Sequence, residues 1–503
     1  MKIKYIVPFM FLAVAGCKSD FLDQNDPNAV AVKQFFKSES EVSLALNGVY
    51  QILRSGDVVG DTYNEGRADN RGNNDNQSNA GEPFQFNDFS LLPGNTYLKK
   101  HWVKLYEGVN RANVLLSHID AVAFKDEALK ERYKAEAKFI RAYLYFALVR
   151  KWGDVPLNTK ELTSTEEINT IAFREKKEVV YAQIVQDLKD GLATNLPNTQ
   201  KEYAIGRVSK AAINSLLGQV YLTMGTTFSN DKAANFAAAE QYLSAAYGMR
   251  TFGNLSEIPY TEVFDVTKEN TCKELIFQVG YIQGDQNYRS TRAADYQAKG
   301  EFINSQKPST NEGAIVRRDL INDYEANDLR KDFTVHFATN PQVNNWYVTK
   351  YRDRSDAAGL VGWGGNDDIL IRYADVMLLL AEAKMHLGKD SEAIALLNQV
   401  RSRAGLPDYA TSMQNASYAS KYPSLKLAIL HERRVELAFE NHRWYDLIRN
   451  FNGEELVAFF KNKNQADYGI AKLSNISAKD VYYPIPFDEY KLNPEKMYQN
   501  AGY

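Results

Sequence analysis

Apolar residues recur every three or four positions over several long stretches, and each such stretch predicts a helix with one face turned inward. Val42, Leu46, Val49, Tyr50 and Leu53 make one stripe, Trp102, Leu105, Val109, Ala112 and Leu116 a second, and Ala137, Ile140, Leu144, Ala147 and Leu148 a third. The second and third are expected to pack as a hairpin. The clearest stripe is Ile213, Leu216, Leu217, Val220, Tyr221 and Met224, which Gly225 is expected to stop. A partner helix is expected over 233–249. The unit returns at 373–387, closed by Gly388, and at 391–403, with Ala393, Leu396, Leu397 and Val400 inward. Paired helices of this size, with small residues where they cross, resemble tetratricopeptide-type repeats. The expected fold class is therefore mainly α, a scaffold of helical pairs.

Two stretches break the pattern, at about 56–100 and 251–368. The first is crowded with Asn, Asp and Gly, which favour turns, and no helix is expected between Gly56 and Gly94. The second alternates polar loops with short β-prone runs, Glu274 to Val279 and Tyr347 to Tyr351. Both read as loop insertions on a helical frame, with a few short strands in the second. Loops mounted on a rigid scaffold are where binding residues usually sit.

The amino terminus changes the compartment. Lys2 and Lys4, the apolar run Ile6 to Val14, and Ala15-Gly16-Cys17 have the form of a lipoprotein signal. The apolar run is too short to span a bilayer, so 1–16 is expected to be removed and Cys17 acylated, with a tether over 17–28 and one domain over 29–503. The only other cysteine, Cys272, then has no partner for a disulfide and reads as a small buried apolar residue. A net charge of −3 with no basic tract argues against nucleic acid as ligand. With 31 Tyr and only 6 His, the composition leans towards contact surfaces more than metal or acid–base chemistry.

Several separated segments resemble the SusD/RagB family of starch-utilisation-type surface lipoproteins. They are FLDQNDPNAV after the cysteine, YKAEAKFIRAYLYFALVRKWGDVPL from Tyr133, IGRVSKAAINSLLGQVYLTMG from Ile205, and IRYADVMLLLAEAKMHLG from Ile371. VRSRAGLP from Val400, HERRVELAFENHRWYDLIR from His431 and the tail from Tyr482 complete the series. Each block alone is a weak signal; their order and spacing carry the likeness. The resemblance implies a scaffold of four tetratricopeptide-like helix pairs and a loop-rich half that binds oligosaccharide without cleaving it. It further implies an outer-membrane lipid anchor facing the exterior, and a SusC-like TonB-dependent β-barrel as partner, docked against the helical face and carboxy-terminal tail. Surface export in the family goes with acidic residues just after the lipidated cysteine, and here only Asp20 is close, with Asp23 later.

Other chemistry finds little support. In the segment from Glu432, the charges Glu432, Arg433, Arg434, Glu436, Arg443, Asp446 and Arg449 are expected to be structural ion pairs, and the same is expected of Lys138, Arg141 and Arg150. No zinc-ligand spacing is present, so no cofactor is expected; the run Asp69 to Asn76 offers oxygens for calcium but lacks the spacing of an EF-hand loop. Gly362-Trp363-Gly364-Gly365 has no phosphate-loop context and reads as a loop presenting Trp363. A glycosidase needs paired carboxylates, and 63 acidic residues neither single out nor remove such a pair.

Sugar binding needs aromatic faces against the ring and Asp, Asn or Arg around the hydroxyls. The expected ligand-binding residues are Asp69, Asn70 and Arg71, with Tyr63 and Asn74 beside them, and Tyr288, Arg289, Tyr296, Trp346, Tyr347 and Trp363. Trp363, Trp346 and a tyrosine are expected to form one platform. Peptide or glycoprotein capture, a periplasm-facing scaffold lipoprotein and an enzyme are the competing readings.

Overall fold

A computed structural model describes residues 35–60, 63–72, 81–469 and 472–503. The signal segment, Cys17, the tether up to Asn28 and Asn74 lie outside the described residues.

Eight helices make four pairs. They are α1 (Glu39–Gln51), α2 (Thr96–His118), α3 (Glu127–Trp152), α4 (Lys177–Leu192), α5 (Lys210–Thr227), α6 (Lys232–Gly248), α7 (Tyr373–His386) and α8 (Asp390–Arg403). Within the pairs α1 packs on α2, α3 on α4, α5 on α6 and α7 on α8; between them α2 touches α3, α4 touches α5 and α6 touches α7. This is the winding of a helical-repeat solenoid, in which each unit covers its neighbour's apolar face. Three further helices close the carboxy-terminal side, α9 (Leu425–Glu436), α10 (Arg443–Asn450) and α11 (Gly453–Lys461).

Local chemistry starts and stops these helices. Asn95, Asp126, Ser209 and Ser424 accept backbone N–H bonds at the starts of α2, α3, α5 and α9, satisfying donors that have no intrahelical partner. Gly153 and Gly388, both at φ +72°, supply the left-handed residue that ends α3 and follows α7. Gly225 is not a stop: α5 runs on to Thr227. Its glycines serve packing, since a Cβ on Gly225 would lie 2.6 Å from Phe236 and one on Gly218 2.3 Å from Leu243. The missing side chains let α5 and α6 approach closely.

The insertion 251–368 carries β1 (Leu275–Val279), β2 (Val335–Phe337) and β3 (Trp346–Val348), and β4 (Asp368–Arg372) follows it directly into α7. β1 pairs antiparallel with β4 and β2 with β3. The β1–β4 ladder thus pins the far end of the insertion to the scaffold. The first insertion is more structured than its composition suggests, with four-residue helices at Gly56–Val59 and Phe84–Asn87.

Beneath the insertion lies a lattice of buried charges. Arg330 bonds Glu432 and Glu436 at 2.6 and 2.9 Å; Arg372 bonds Glu274 and Glu436 at 2.7 Å each and Glu440 at 2.7 Å. Arg401 reaches Glu325 and Glu432, and Arg403 pairs with Glu274 and Glu436. Burial alone would raise the Glu436 carboxyl, but Arg403, Arg372 and Arg330 together hold it well below the usual range. Breaking one member of such a group strands a charge out of water. Ion pairing also holds for Lys138 with Asp190 and Arg141 with Asp187. It fails for Arg150, whose guanidinium lies between the rings of Phe146 and Tyr445, at 3.7 and 3.4 Å from their centroids. Cys272 is buried and free, its thiol pushed up to about 11 mainly by burial.

Candidate ligand-binding surface

Trp363 is held by the glycines around it. The short helix Asp356–Val361 is capped by Ser355 and ends on Gly362 at φ +71°, whose N–H bonds back to Ala358. Gly364 and Ser290 exchange two backbone hydrogen bonds of 2.8 and 3.0 Å, and a Cβ on Gly365 would stand 2.7 Å from the Gln283 nitrogen. That ladder draws the 283–290 loop against the tryptophan. Arg289 comes to 4.9 Å and the Lys307 ammonium to 2.9 Å from the Trp363 ring centroid. Burial pulls the Lys307 pKa below its ordinary value. The indole is therefore half-buried with cations over it, and a sugar that stacks there has to displace Lys307. Tyr288, next along the loop, is half-exposed, and Arg54 covers it at 4.9 Å.

A second aromatic site is built by strand alternation. Phe337 on β2 faces Trp346 on β3, with ring centroids 5.5 Å apart at 72°. Tyr347, one residue on, points the other way and is fully buried, because successive side chains in a strand leave opposite faces. Phe337 is 42% exposed, so the pair presents apolar ring surface to water. The connecting turn places Asn344 at φ +44°, and the Asn345 side chain accepts from the Trp346 N–H at 3.0 Å. Gly72, Arg318, Phe337, Asn344, Asn345 and Trp346 line a shallow groove of about 80 Å³. Gly72 comes from the first insertion and the other five from the second, and 466–469 of the carboxy-terminal part complete the wall. Arg71 pairs with Val316 and Val316 N–H bonds the Trp346 carbonyl, which is how the two insertions meet.

The expected site residues divide accordingly. Trp346, Trp363, Arg289 and Tyr288 remain accessible, but the two tryptophans form separate spots: Trp346 pairs with Phe337, while Trp363 contacts cations, and no ring contact joins them among the described residues. Asp69 and Asn70 are fully buried. Both Asp69 oxygens are taken by Arg443 at 2.7 and 3.0 Å, with Arg434 and Lys463 close by; Asn70 accepts from Arg434 and its carbonyl accepts from Arg317. Both are enclosed with their side-chain oxygens engaged inside the protein, out of reach of a ligand hydroxyl, so the expectation for these two is corrected. Tyr63, Tyr296 and Tyr347 are buried as well; Tyr63 stacks on His101 and Tyr296 lies under Arg71. Arg71 is half-buried against that ring. Phe337, Asn344, Asn345, Lys307 and Arg318 were not anticipated.

No group of three or more His, Cys, Asp or Glu among the described residues is arranged to hold a metal. The proposed calcium oxygens of Asp69 serve arginines, and 73–76 lie outside the described residues. One pair of carboxyls departs strongly from normal: burial and the neighbouring Asp367 push Glu269 up to about 10, and burial pushes Asp367 up to about 6. Asp367 accepts from Gln278 and from the Tyr281 N–H, and Glu269 from the Asp367 N–H. Both are buried, so the pair is enclosed within the fold and closed to a ligand.

Fold and surface together define a helix-pair scaffold protein of the tetratricopeptide type with a loop-rich half that presents aromatic rings. The chain belongs to the SusD-like family. The profile described as "Starch-binding associating with outer membrane" matches residues 20–222, and that of the SusD family matches residues 334–503. "SusD-like protein P2" of Formosa agariphila is 28% identical over 100% of this chain and 99% of its own length. A SusD-like protein of Bacteroides ovatus is 25% identical over 90% of this chain and 83% of its own. Among solved structures, a laminarin-binding SusD-like protein superposes with a TM-score of 0.73 at 26% identity, covering 93% of this chain and 100% of that one. A SusD homologue of Bacteroides thetaiotaomicron gives a TM-score of 0.75 at 21% identity over 94% and 98%, a likeness of fold. No helix among the described residues is long and apolar enough to cross a membrane.

Proposed function

We propose that this protein captures an oligosaccharide outside the cell and delivers it, uncleaved, to a SusC-like TonB-dependent transporter. The observation that carries the reading is the pair of aromatic spots on the insertions, Phe337–Trp346 and Trp363, each flanked by amide or guanidinium donors. Exposed ring faces suit the apolar side of a sugar ring, and donors around them suit its hydroxyls. Laminarin binding by a relative that matches over nearly the whole chain supports the same class of ligand. The family profile's association with the outer membrane supports the location, with Cys17 as the lipid anchor and the helical face and tail towards the transporter. The groove is shallow and exchanges water hydrogen bonds for sugar ones almost evenly, so affinity is expected in the micromolar to millimolar range. Affinity gel electrophoresis of the soluble chain from Lys18 against a polysaccharide panel tests this, with Trp346→Ala and Trp363→Ala alongside. Retardation by a glycan, reduced in a folded variant, is the expected result; no retardation by any glycan contradicts it.

A further inference from the structure

Away from the loops, helix ends of the scaffold and the carboxy-terminal helices enclose a cleft of about 510 Å³, well within the range of small-ligand sites. Its charge is one-sided. Arg150, Lys177, Lys232 and Lys426 all line it, and none has a carboxylate within ion-pair distance among the described residues. Arg449 also lines it but is satisfied by Glu382 and Asp446. The one acid on the wall, Glu455, is used at the start of α11, where it accepts from the Asn452 N–H at 2.9 Å. His386 stacks on Phe236, and its Nε2, 4.0 Å from Glu382, has no hydrogen-bond partner among the described residues.

The cations are placed against local preference. Lys177 and Lys232 are the first residues of α4 and α6, and Lys426 is the second of α9. A helix start favours negative charge. Arg150 is fixed in position by Phe146 and Tyr445 and by its Nε bond to the Phe146 carbonyl at 3.0 Å. Among the described residues no hydrogen bond to protein holds its two terminal nitrogens. Lys426 is anchored similarly, donating to the Asn450 carbonyl at 2.6 Å. Buried arginines such as Arg330, Arg372 and Arg401 are matched with carboxylates; for Arg150 that match is missing among the described residues, and the guanidinium is pre-oriented for an oxyanion.

We propose that this cleft is a second binding site, for a small polyanion that carries two or more sulfate, phosphate or carboxylate groups on a body of up to about two sugar rings. It is independent of the aromatic spots and of the glycan they take. Calorimetric titration of the soluble chain at constant ionic strength tests it with three probes: inorganic tripolyphosphate, a disulfated disaccharide, and the same disaccharide unsulfated. Saturable binding of an anionic probe is expected, weakening as salt is raised and absent with the unsulfated sugar. Loss of two charge-assisted hydrogen bonds is worth about ten-fold or more in affinity. The Lys177→Gln/Lys426→Gln variant, and separately Arg150→Gln, are therefore expected to weaken binding by that factor. A charge-matched control, Lys125→Gln/Lys299→Gln, alters exposed lysines outside the cleft and is expected to bind as the parent does. Circular dichroism melting of each variant establishes that it is folded. Tripolyphosphate binding alone assigns the site to free anions, and binding of the sulfated disaccharide assigns it to charged sugars. No saturable binding of either, or binding unchanged in both cleft variants, overturns the proposal.

Discussion

Arg372 and Arg289 both belong to the insertion and its anchor strand, and both carry a full positive charge. Arg372 is fully buried and spends its donors on Glu274, Glu436 and Glu440. Arg289 is half-exposed, bonds only Gln286 beside it among the described residues, and lies over the Trp363 ring. The same contrast separates Asp69, enclosed by Arg443, Arg434 and Lys463, from Asn344 and Asn345 on the rim of the Trp346 groove. Composition does not distinguish these groups. What does is whether the opposing charge or hydrogen-bonding partner is inside the protein: where it is, the group holds the insertion onto the scaffold, and where it is not, the group is open to a ligand.

The contrast breaks most visibly on the buried side. Arg372→Ala leaves three carboxylates short of a cation and is expected to cost about 3–5 kcal/mol, read as a shift in the urea denaturation midpoint; a change below 1 kcal/mol would show that the lattice is not what secures the insertion. Acid gives the matching titration. Glu440 is held down to about 2 against the opposing effect of burial by Arg372 and Lys350. A lowered folded pKa contributes stability that is complete above the unfolded value of about 4.3 and lost as pH falls through about 2. Denaturation curves between pH 5 and pH 2 should therefore show a loss on the order of 2–3 kcal/mol from this group, absent in Glu440→Gln.

The Glu269–Asp367 pair sharpens the comparison with the opposite sign. The unfolded chain ionises Glu269 above about pH 4.3 while the folded chain keeps it protonated to about 10, so folding stability falls as pH rises through that interval. Glu269→Gln is expected to remove most of this fall, a gain on the order of a few kcal/mol at pH 8 relative to pH 5; an unchanged difference between the two pH values would contradict it. On the exposed side the effects move from stability to affinity. Trp346→Ala is expected to weaken glycan binding about ten-fold while costing about 1 kcal/mol of stability, measured by titration and melting together. Arg318→Gln should do least, about two- to five-fold in affinity for a hydrogen bond worth on the order of 0.5–1 kcal/mol, with melting unchanged.

The helical pairs were legible because apolar spacing records which face is buried, and the scaffold winds as the stripes imply. Gly225 was not, since glycine serves both as a stop and as a close-packing residue, and only the position of Phe236 decides between them. Ion pairing around Glu432 was legible as a type of interaction, but its partners Arg330, Arg372 and Glu274 stand far away in sequence. Asp69 and Asn70 misled for a physical reason: a polar loop reads as solvated, whereas arginines of α9 and α10 draw this one inward. Tyr347 beside Trp346 misled by strand alternation, which assigns neighbours to opposite faces but needs the register to say which is which. Phe337 carried no signal of its own until β2 was paired with β3.

On the proposed function, ligand is held by the exposed groups on the insertions and not by the charged lattice beneath. Hydrogen-exchange mass spectrometry with and without a retarding glycan tests it most directly. Added protection is expected at 337–347, at 283–290 and 356–365, or at one of these spots alone, with 430–440 unchanged. Protection confined to 430–440, with the loops unchanged, would contradict it.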